Sequence, residues 1–174
     1  LAQVLREPDR YGRSDLGRGR RVNVEFVSAN PVGPLHIGNA RGGPLGDVLA
    51  SLLEWTGHAV TREYLINDGP DNTQLNLFGR SVKLRYLETL GREVAYPQEC
   101  YQGQYVKQYA QLIVDRHGAG YADDGRPDLF YADLVLADVV EDLRRDCAAC
   151  GLEFDVWFHE RSLLDSGEVA QVYQ

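Results

Sequence analysis

The chain has 174 residues, 44% of them apolar and 25% charged. That is the balance of one ordinary globular domain with a real core, and it excludes disorder, collagen and coiled coil. No apolar run approaches the roughly 20 residues of a membrane span, and a net charge of -8 argues against a free-standing nucleic-acid binder, which would carry a basic surface.

Methionine is absent and the first residue is Leu1, so the chain is expected to be a piece of a longer product. Residues 1–21 hold six arginines (Arg6, Arg10, Arg13, Arg18, Arg20, Arg21) against Glu7, Asp9 and Asp15. A short helix followed by a Gly/Arg-rich arm is expected there. The arm is either a solvated linker or a phosphate contact, and composition favours the linker. Val22 to Val27 alternates apolar and polar residues and predicts a strand. Ser28 to Pro34, with two prolines, a glycine and an asparagine, predicts a loop. Leu45, Val48, Leu49, Leu52, Leu53 and Trp55 recur at helical spacing, and Gly57 provides the C-terminal stop. Ala59 to Ile66 reads as a second strand, closed by Asn67-Asp68-Gly69-Pro70. Strand, helix and strand at this spacing form a βαβ unit with parallel strands and a right-handed crossover.

Leu75 to Leu90 predicts a helix stopped by Gly91, and Tyr96-Pro97 breaks the chain. Tyr105 to Val114 is a further helical segment. Phe130 to Ala149 reads as one long helix whose stripe is Ala132, Leu136, Val139, Val140, Leu143 and Cys147. Glu153 to Phe158 predicts a third strand. Glu160 to Val172 looks helical, with Gly167 inside it. The fold class is therefore α/β: a three-stranded parallel sheet, half of the five or six strands usual in nucleotide-binding sheets, with a mainly helical insertion at about 75–150. The domain division is an arm at 1–21 and an α/β unit at 22–174. Residues 115–155 carry eleven carboxylates against four arginines, most simply a solvated helical face. The cysteines are Cys100, Cys147 and Cys150, an odd, sparse set that fits a reducing cytoplasm. Cys147 and Cys150 have CxxC spacing but no second pair, so no metal site is expected.

The first βα loop carries the chemistry, because ligands of open α/β sheets bind beyond the carboxyl ends of the strands. It reads Ser28-Ala29-Asn30-Pro31-Val32-Gly33-Pro34-Leu35-His36-Ile37-Gly38-Asn39-Ala40-Arg41, neither GxGxxG nor a Walker A loop. It offers His36, Gly38 and Asn39 at a helix start, where free N–H groups favour phosphate. His36 can donate to a phosphoryl oxygen, Gly38 admits close approach, and Asn39 both donates and accepts. Glu25 is either a carboxylate for a cationic ligand or a solvent-facing strand residue. Arg41 pairs with either a phosphate or a carboxylate. His58, His117 and His159 read as surface or boundary residues, and Tyr96, Tyr101, Tyr105 and Tyr109 as packing.

Pro34-Leu35-His36-Ile37-Gly38-Asn39 resembles the "HIGH" signature of class I aminoacyl-tRNA synthetases. Residues 22–31 before it, Arg62 to Asp68, and Phe154 to Leu163 are together similar to arginyl-tRNA synthetases of bacterial type, so the resemblance runs from about Tyr11 onward. It implies a partial Rossmann-like catalytic sheet. It also implies a ligase that activates L-arginine with ATP and Mg²⁺ and transfers it to tRNA(Arg) in the cytoplasm, without a membrane. On the motif, Pro34, His36, Gly38 and Asn39 fall on ATP. Ser28, Ala29, Asn30 and Asn39 fall on arginine. His36 and Asn39 are the catalytic pair, with no metal ligand. Asn39 departs from the signature's second histidine but keeps a donor. The wording around Asp68 also drifts, which leaves that residue's role open. Nothing resembles the family's "KMSKS" loop, its guanidinium-binding tyrosine and aspartate, or its anticodon-binding and N-terminal domains. The remainder of the synthetase chain is therefore an implied partner, and the fragment alone is expected not to aminoacylate. Two alternatives are another HxGH nucleotidyltransferase and a non-catalytic module that binds tRNA or a synthetase.

Overall fold

The computed structural model describes residues 2–123 and 125–173. Strands β1 (Arg21–Glu25), β2 (Ala59–Ile66) and β3 (Val156–His159) form one parallel sheet in the order β1-β2-β3. Val24 pairs with Arg62, and Ile66 with His159. β1 stops two residues before the alternation does, because Val27 and Ser28 turn out of the sheet at φ +67° and +40°. β3 starts later than Glu153. The residues ahead of it turn inward instead: Leu152 is buried, and the Phe154 ring sits 4.5 Å from Phe26 and 5.3 Å from Tyr64.

Helices α2 (Ile37–Ala40) and α3 (Gly42–Trp55) return the chain to β2. The expected helix is present, and Leu53 packs against the core, but most of its apolar stripe does not face the sheet. Gly43, Gly46 and Ala50 are the buried positions, and Gly46 lies so close to the Phe26 ring that a Cβ would collide with it. Close packing of helix on sheet therefore uses the small residues and turns Leu45, Val48, Leu49 and Leu52 outward, each at least half exposed. Arg62 on β2 fixes α3 from the sheet side, with its guanidinium 2.6 Å from Glu54 and 3.2 Å from Asp47.

The N-terminal segment begins with α1 (Ala2–Arg6) and continues irregularly, but it is not a solvated linker. Ser14, Gly17 and Gly19 donate backbone N–H groups to the carbonyls of Trp55, Thr56 and Gly57. Gly17 is buried, and the Arg13 guanidinium lies 4.4 Å from the Trp55 ring centre. Composition alone does not reveal such backbone pairing.

The insertion comprises α4 (Thr73–Thr89), α5 (Gln104–His117), α6 (Asp128–Asp133) and α7 (Leu136–Ala149). Asn72 caps α4 by accepting from the Gln74 and Leu75 N–H groups, as an N-cap asparagine should. Leu75, Phe78, Val82 and Tyr86 of α4 are fully buried in one cluster with Val106, Tyr109, Ala110 and Ile113 of α5 and Val139 and Leu143 of α7. The single helix expected over Phe130–Ala149 is two helices. The break falls at Leu134–Val135, where Val135 leaves helical geometry at φ -119° and ψ 1°, while Ala132 and Val135 on either side of it stay fully buried. The acidic segment is also more than a solvated face. Asp123 pairs with Arg92, Asp128 with Lys83, Asp133 with Arg161 and Asp138 with Arg116. Asp124 lies outside the described residues. Beyond β3, α8 (Arg161–Asp165) and α9 (Glu168–Val172) are separated by Gly167 at φ +75°. No helix among the described residues is long and apolar enough to cross a membrane.

Candidate functional site

The loop after β1 is held under backbone strain. Val27 is β-branched and sits at positive φ, a conformation costing about 1–3 kcal/mol for such a residue. The surroundings fix it. The Ser28 hydroxyl accepts from the Leu65 N–H at 3.0 Å. The buried Tyr64 hydroxyl accepts from the Ala29 N–H at 3.0 Å and donates to the Ala29 carbonyl at 3.2 Å. Tyr64 itself is stacked on Trp157 with ring centres 4.3 Å apart, and burial pushes its phenol well above the usual range, so it remains a neutral donor. Ser28 and Ala29 are thus anchored by their own polar groups. Asn30 comes next, and its side-chain Nδ2 donates to Gln74 Oε1 at 2.6 Å. This ties the Asn30 carboxamide to the start of α4.

At the far end of the loop, Leu35 donates its N–H to Asp146 Oδ2 at 3.0 Å. His36 follows as the cap of α2, and its Nδ1 accepts from the Gly38 N–H at 3.1 Å. A neutral imidazole that accepts at Nδ1 carries its proton on Nε2. The exposed His36 ring therefore presents a donor. Gly38 does not join the cavity lining; its N–H is spent on the histidine that precedes it.

Ser28, Ala29, Asn30, Pro34, His36 and Asn39 line a single open cavity of about 600 Å³, within the usual range for a small-molecule site. Sequence reasoning missed the opposite wall, which comes from the insertion: Gln74, Tyr101 and Tyr105. The tyrosine cluster was the available signal, although its spacing also fits packing, as the buried Tyr109 shows. The Tyr105 ring lies against Gly33, where a Cβ would come within 2.6 Å of it, and burial pushes the Tyr105 phenol up to about 12. The lining carries no carboxylate.

The remaining sequence candidates lie elsewhere. Glu25 and Arg41 are exposed and outside the lining. Asp68 is almost completely buried. It binds His159 Nδ1 at 2.7 Å and accepts from the Arg161 N–H at 2.9 Å, so it fastens the end of β2 to the end of β3. His159 is accordingly a paired residue and not a free surface one. Cys147 is buried and Cys150 exposed, and burial pushes the Cys147 thiol up to about 11, so it stays protonated at neutral pH.

The chain matches known proteins over nearly its whole length. The family described as tRNA synthetases class I (R), catalytic domain, matches residues 1–116. An arginine–tRNA ligase of Ruegeria sp. (strain TM1040) is 44% identical over 97% of this chain, and one of Caldanaerobacter subterraneus subsp. tengcongensis is 45% identical over 94%. The chain spans about 29% of the length of these curated relatives. The crystal structure of a candidate arginyl-tRNA synthetase from Campylobacter jejuni superposes with a TM-score of 0.80 at 29% identity, covering 96% of this chain and 36% of that one. The arginyl-tRNA synthetase of Thermus thermophilus, at 22% identity and a TM-score of 0.57, covers 98% of this chain and 28% of its own and shares the fold.

Proposed function

This chain belongs to the class I tRNA synthetase (R) catalytic-domain family, and from that premise we propose that it builds the part of an arginine–tRNA ligase site that receives ATP and the amino-acid end of L-arginine. The observation that carries the proposal is the single cavity in which Asn30, Pro34, His36 and Asn39 meet beyond the carboxyl end of β1.

In the proposed reaction the arginine carboxylate oxygen attacks the α-phosphorus of ATP. An O–P bond forms, the bond to the β-phosphate oxygen breaks, and arginyl-adenylate and pyrophosphate result. The acyl group then passes to a ribose hydroxyl of tRNA(Arg), releasing AMP. Little of this asks the protein for a nucleophile; positioning and electrostatics do most of the work. His36 donates from Nε2 to phosphoryl oxygens as charge builds on them. Asn30 offers its amide oxygen to the arginine ammonium. Asn39, within the first turn after His36, borders both ligands. Mg²⁺ would enter with the nucleotide substrate and would supply neutralisation of phosphate charge. Three free cysteines support the reducing cytoplasm as the setting.

Titration of the chain with ATP, followed by amide chemical-shift changes, tests the assignment. Weak saturable binding centred on residues 28–39 is expected, and it should be lost in His36→Ala. Binding unchanged by His36→Ala would remove that residue from the nucleotide site. Arginine-dependent ATP–pyrophosphate exchange is expected to be absent from the 174-residue chain by itself.

A further inference from the structure

Three helices of the insertion reach back to the same loop, residues 26–36 between β1 and α2. The amide of Gln74, at the start of α4, takes the Asn30 Nδ2 hydrogen bond at 2.6 Å, across 44 residues of sequence. The carboxylate of Asp146, near the end of α7, takes the Leu35 N–H at 3.0 Å, across 111 residues. The ring of Tyr105, on α5, rests on Gly33 between these two points. The insertion shares one buried cluster with the sheet, and Val32 and Leu35 of the loop pack against it, so these three contacts sit on a common packed base.

We propose that Gln74 and Asp146 are positioning residues that pin opposite ends of the loop: Gln74 sets the amino-acid end through Asn30, and Asp146 sets the nucleotide end through the Leu35–His36 backbone. The assignment of ligands to the two ends rests on the function proposed above; the clamping itself does not.

The physical reasons are distinct at the two ends. Without Gln74 the Asn30 carboxamide loses its tether and is free to leave the rotamer that presents it to the cavity. Gln74, itself exposed on the cavity wall, holds the Asn30 side chain in place. Asp146 gives Leu35 a charge-assisted hydrogen bond, the stronger kind. Leu35 immediately precedes the capping residue, so its peptide plane sets where the His36 ring starts. The backbone between the two ends is not stiff by itself, since Gly33 sits at φ +147°, a region that only glycine enters freely. External pins at both ends, with the Tyr105 ring between them, give the loop one shape.

The experiment uses the 174-residue chain, labelled with ¹⁵N, as wild type, Gln74→Ala, Asp146→Ala and Asp146→Asn, titrated separately with L-arginine and with ATP. Gln74→Ala is expected to weaken arginine about tenfold, the scale of one well-placed hydrogen bond, and to leave ATP within about twofold. Asp146→Ala is expected to do the reverse. Asp146→Asn keeps an oxygen acceptor for the Leu35 N–H and should restore most of the ATP affinity. Equal weakening of both ligands by either alanine variant, or no change in either, would overturn the division of labour. Hydrogen exchange at the Leu35 amide provides a readout that needs no ligand. It should speed up at least about tenfold in Asp146→Ala and stay unchanged in Gln74→Ala. If the wild-type chain bound neither ligand, the functional reading would fail. The exchange result would then decide the clamp on its own, and an unchanged Leu35 rate in Asp146→Ala would overturn it.

Discussion

The insertion and the first βα unit satisfy their apolar residues in opposite ways. In the insertion, large side chains point inward: Phe78, Val82, Tyr86, Ile113, Tyr131, Val139 and Leu143 are all essentially inaccessible. On α3 the fully inward positions are Gly43, Gly46 and Ala50, and Leu45, Leu49 and Leu52 are outside. The insertion is a finished core, while the βα unit is a close-packed layer with a second apolar face that no described residue covers. The strained, cavity-lining loop lies where the two meet, so the insertion braces the βα unit.

Phe78→Ala should produce the largest effect. The ring is fully buried and meets Tyr101 and Tyr109 edge-on at 6.0 and 5.9 Å. Losing it costs about 3–5 kcal/mol, read as a lower urea midpoint. A loss under about 1 kcal/mol would contradict the picture of a finished core.

Tyr64→Phe comes next and tests the seam. The stacked ring stays, but the buried N–H and carbonyl of Ala29 both lose their partner. Leaving buried polar groups unpaired costs about 1–3 kcal/mol, and the same change should loosen the turn at Val27 and Ser28. Faster exchange of the Ala29 amide, with the insertion amides unchanged, is the expected signature.

A smaller effect belongs to the surface of the insertion. Asp138 lies in the first turn of α7, and its bidentate hydrogen bonds with Arg116 on α5 hold its carboxyl below the usual carboxylate range. A depressed folded pKa contributes stability that is present above the unfolded value of about 3.9 and is lost as pH falls through the lower folded one. Wild type should therefore exceed Asp138→Asn in thermal midpoint at pH 5 to 8, and the gap should close as the solution is acidified below about pH 3.9. A gap that widened on acidification would reverse the sign and remove the pair as its cause.

The site was legible in the sequence to the extent that it is local. Ser28 to Asn39 are contiguous, and their turn residues, histidine and asparagine carry their chemistry on their faces. Gln74, Tyr105 and Asp146 were not legible, because a residue's meaning at 44 or 111 positions' distance is set by how helices pack. The three parallel strands and the helices were readable from periodicity, since hydrophobic spacing reports the element. It does not report which of two faces an element buries. On α3 the glycine face and the leucine face share one helical period, and only the approach of Phe26 to Gly46 decides between them. The single long helix expected over Phe130–Ala149 fails for a related reason, since the apolar stripe continues smoothly across the break at Leu134–Val135 and periodicity does not report it.

Leu49→Gln is the smallest expected change and the sharpest test of that last point. Read from the sequence, Leu49 belongs to an apolar stripe facing the sheet, and a buried polar substitution there would cost several kcal/mol. In the structure Leu49 is 50% exposed, leucine and glutamine have nearly equal helix propensity, and the carboxamide is left in water. The urea midpoint should then correspond to a change within about 0.5 kcal/mol, as for ordinary surface substitutions. The control is on the same helix: Gly46→Ala adds one methyl group against the Phe26 ring, and overpacking of that kind costs about 1–3 kcal/mol. If the glutamine variant proved the more damaging of the two, α3 would bury its leucines, and the contrast between a finished insertion and a half-covered βα unit would fall with it.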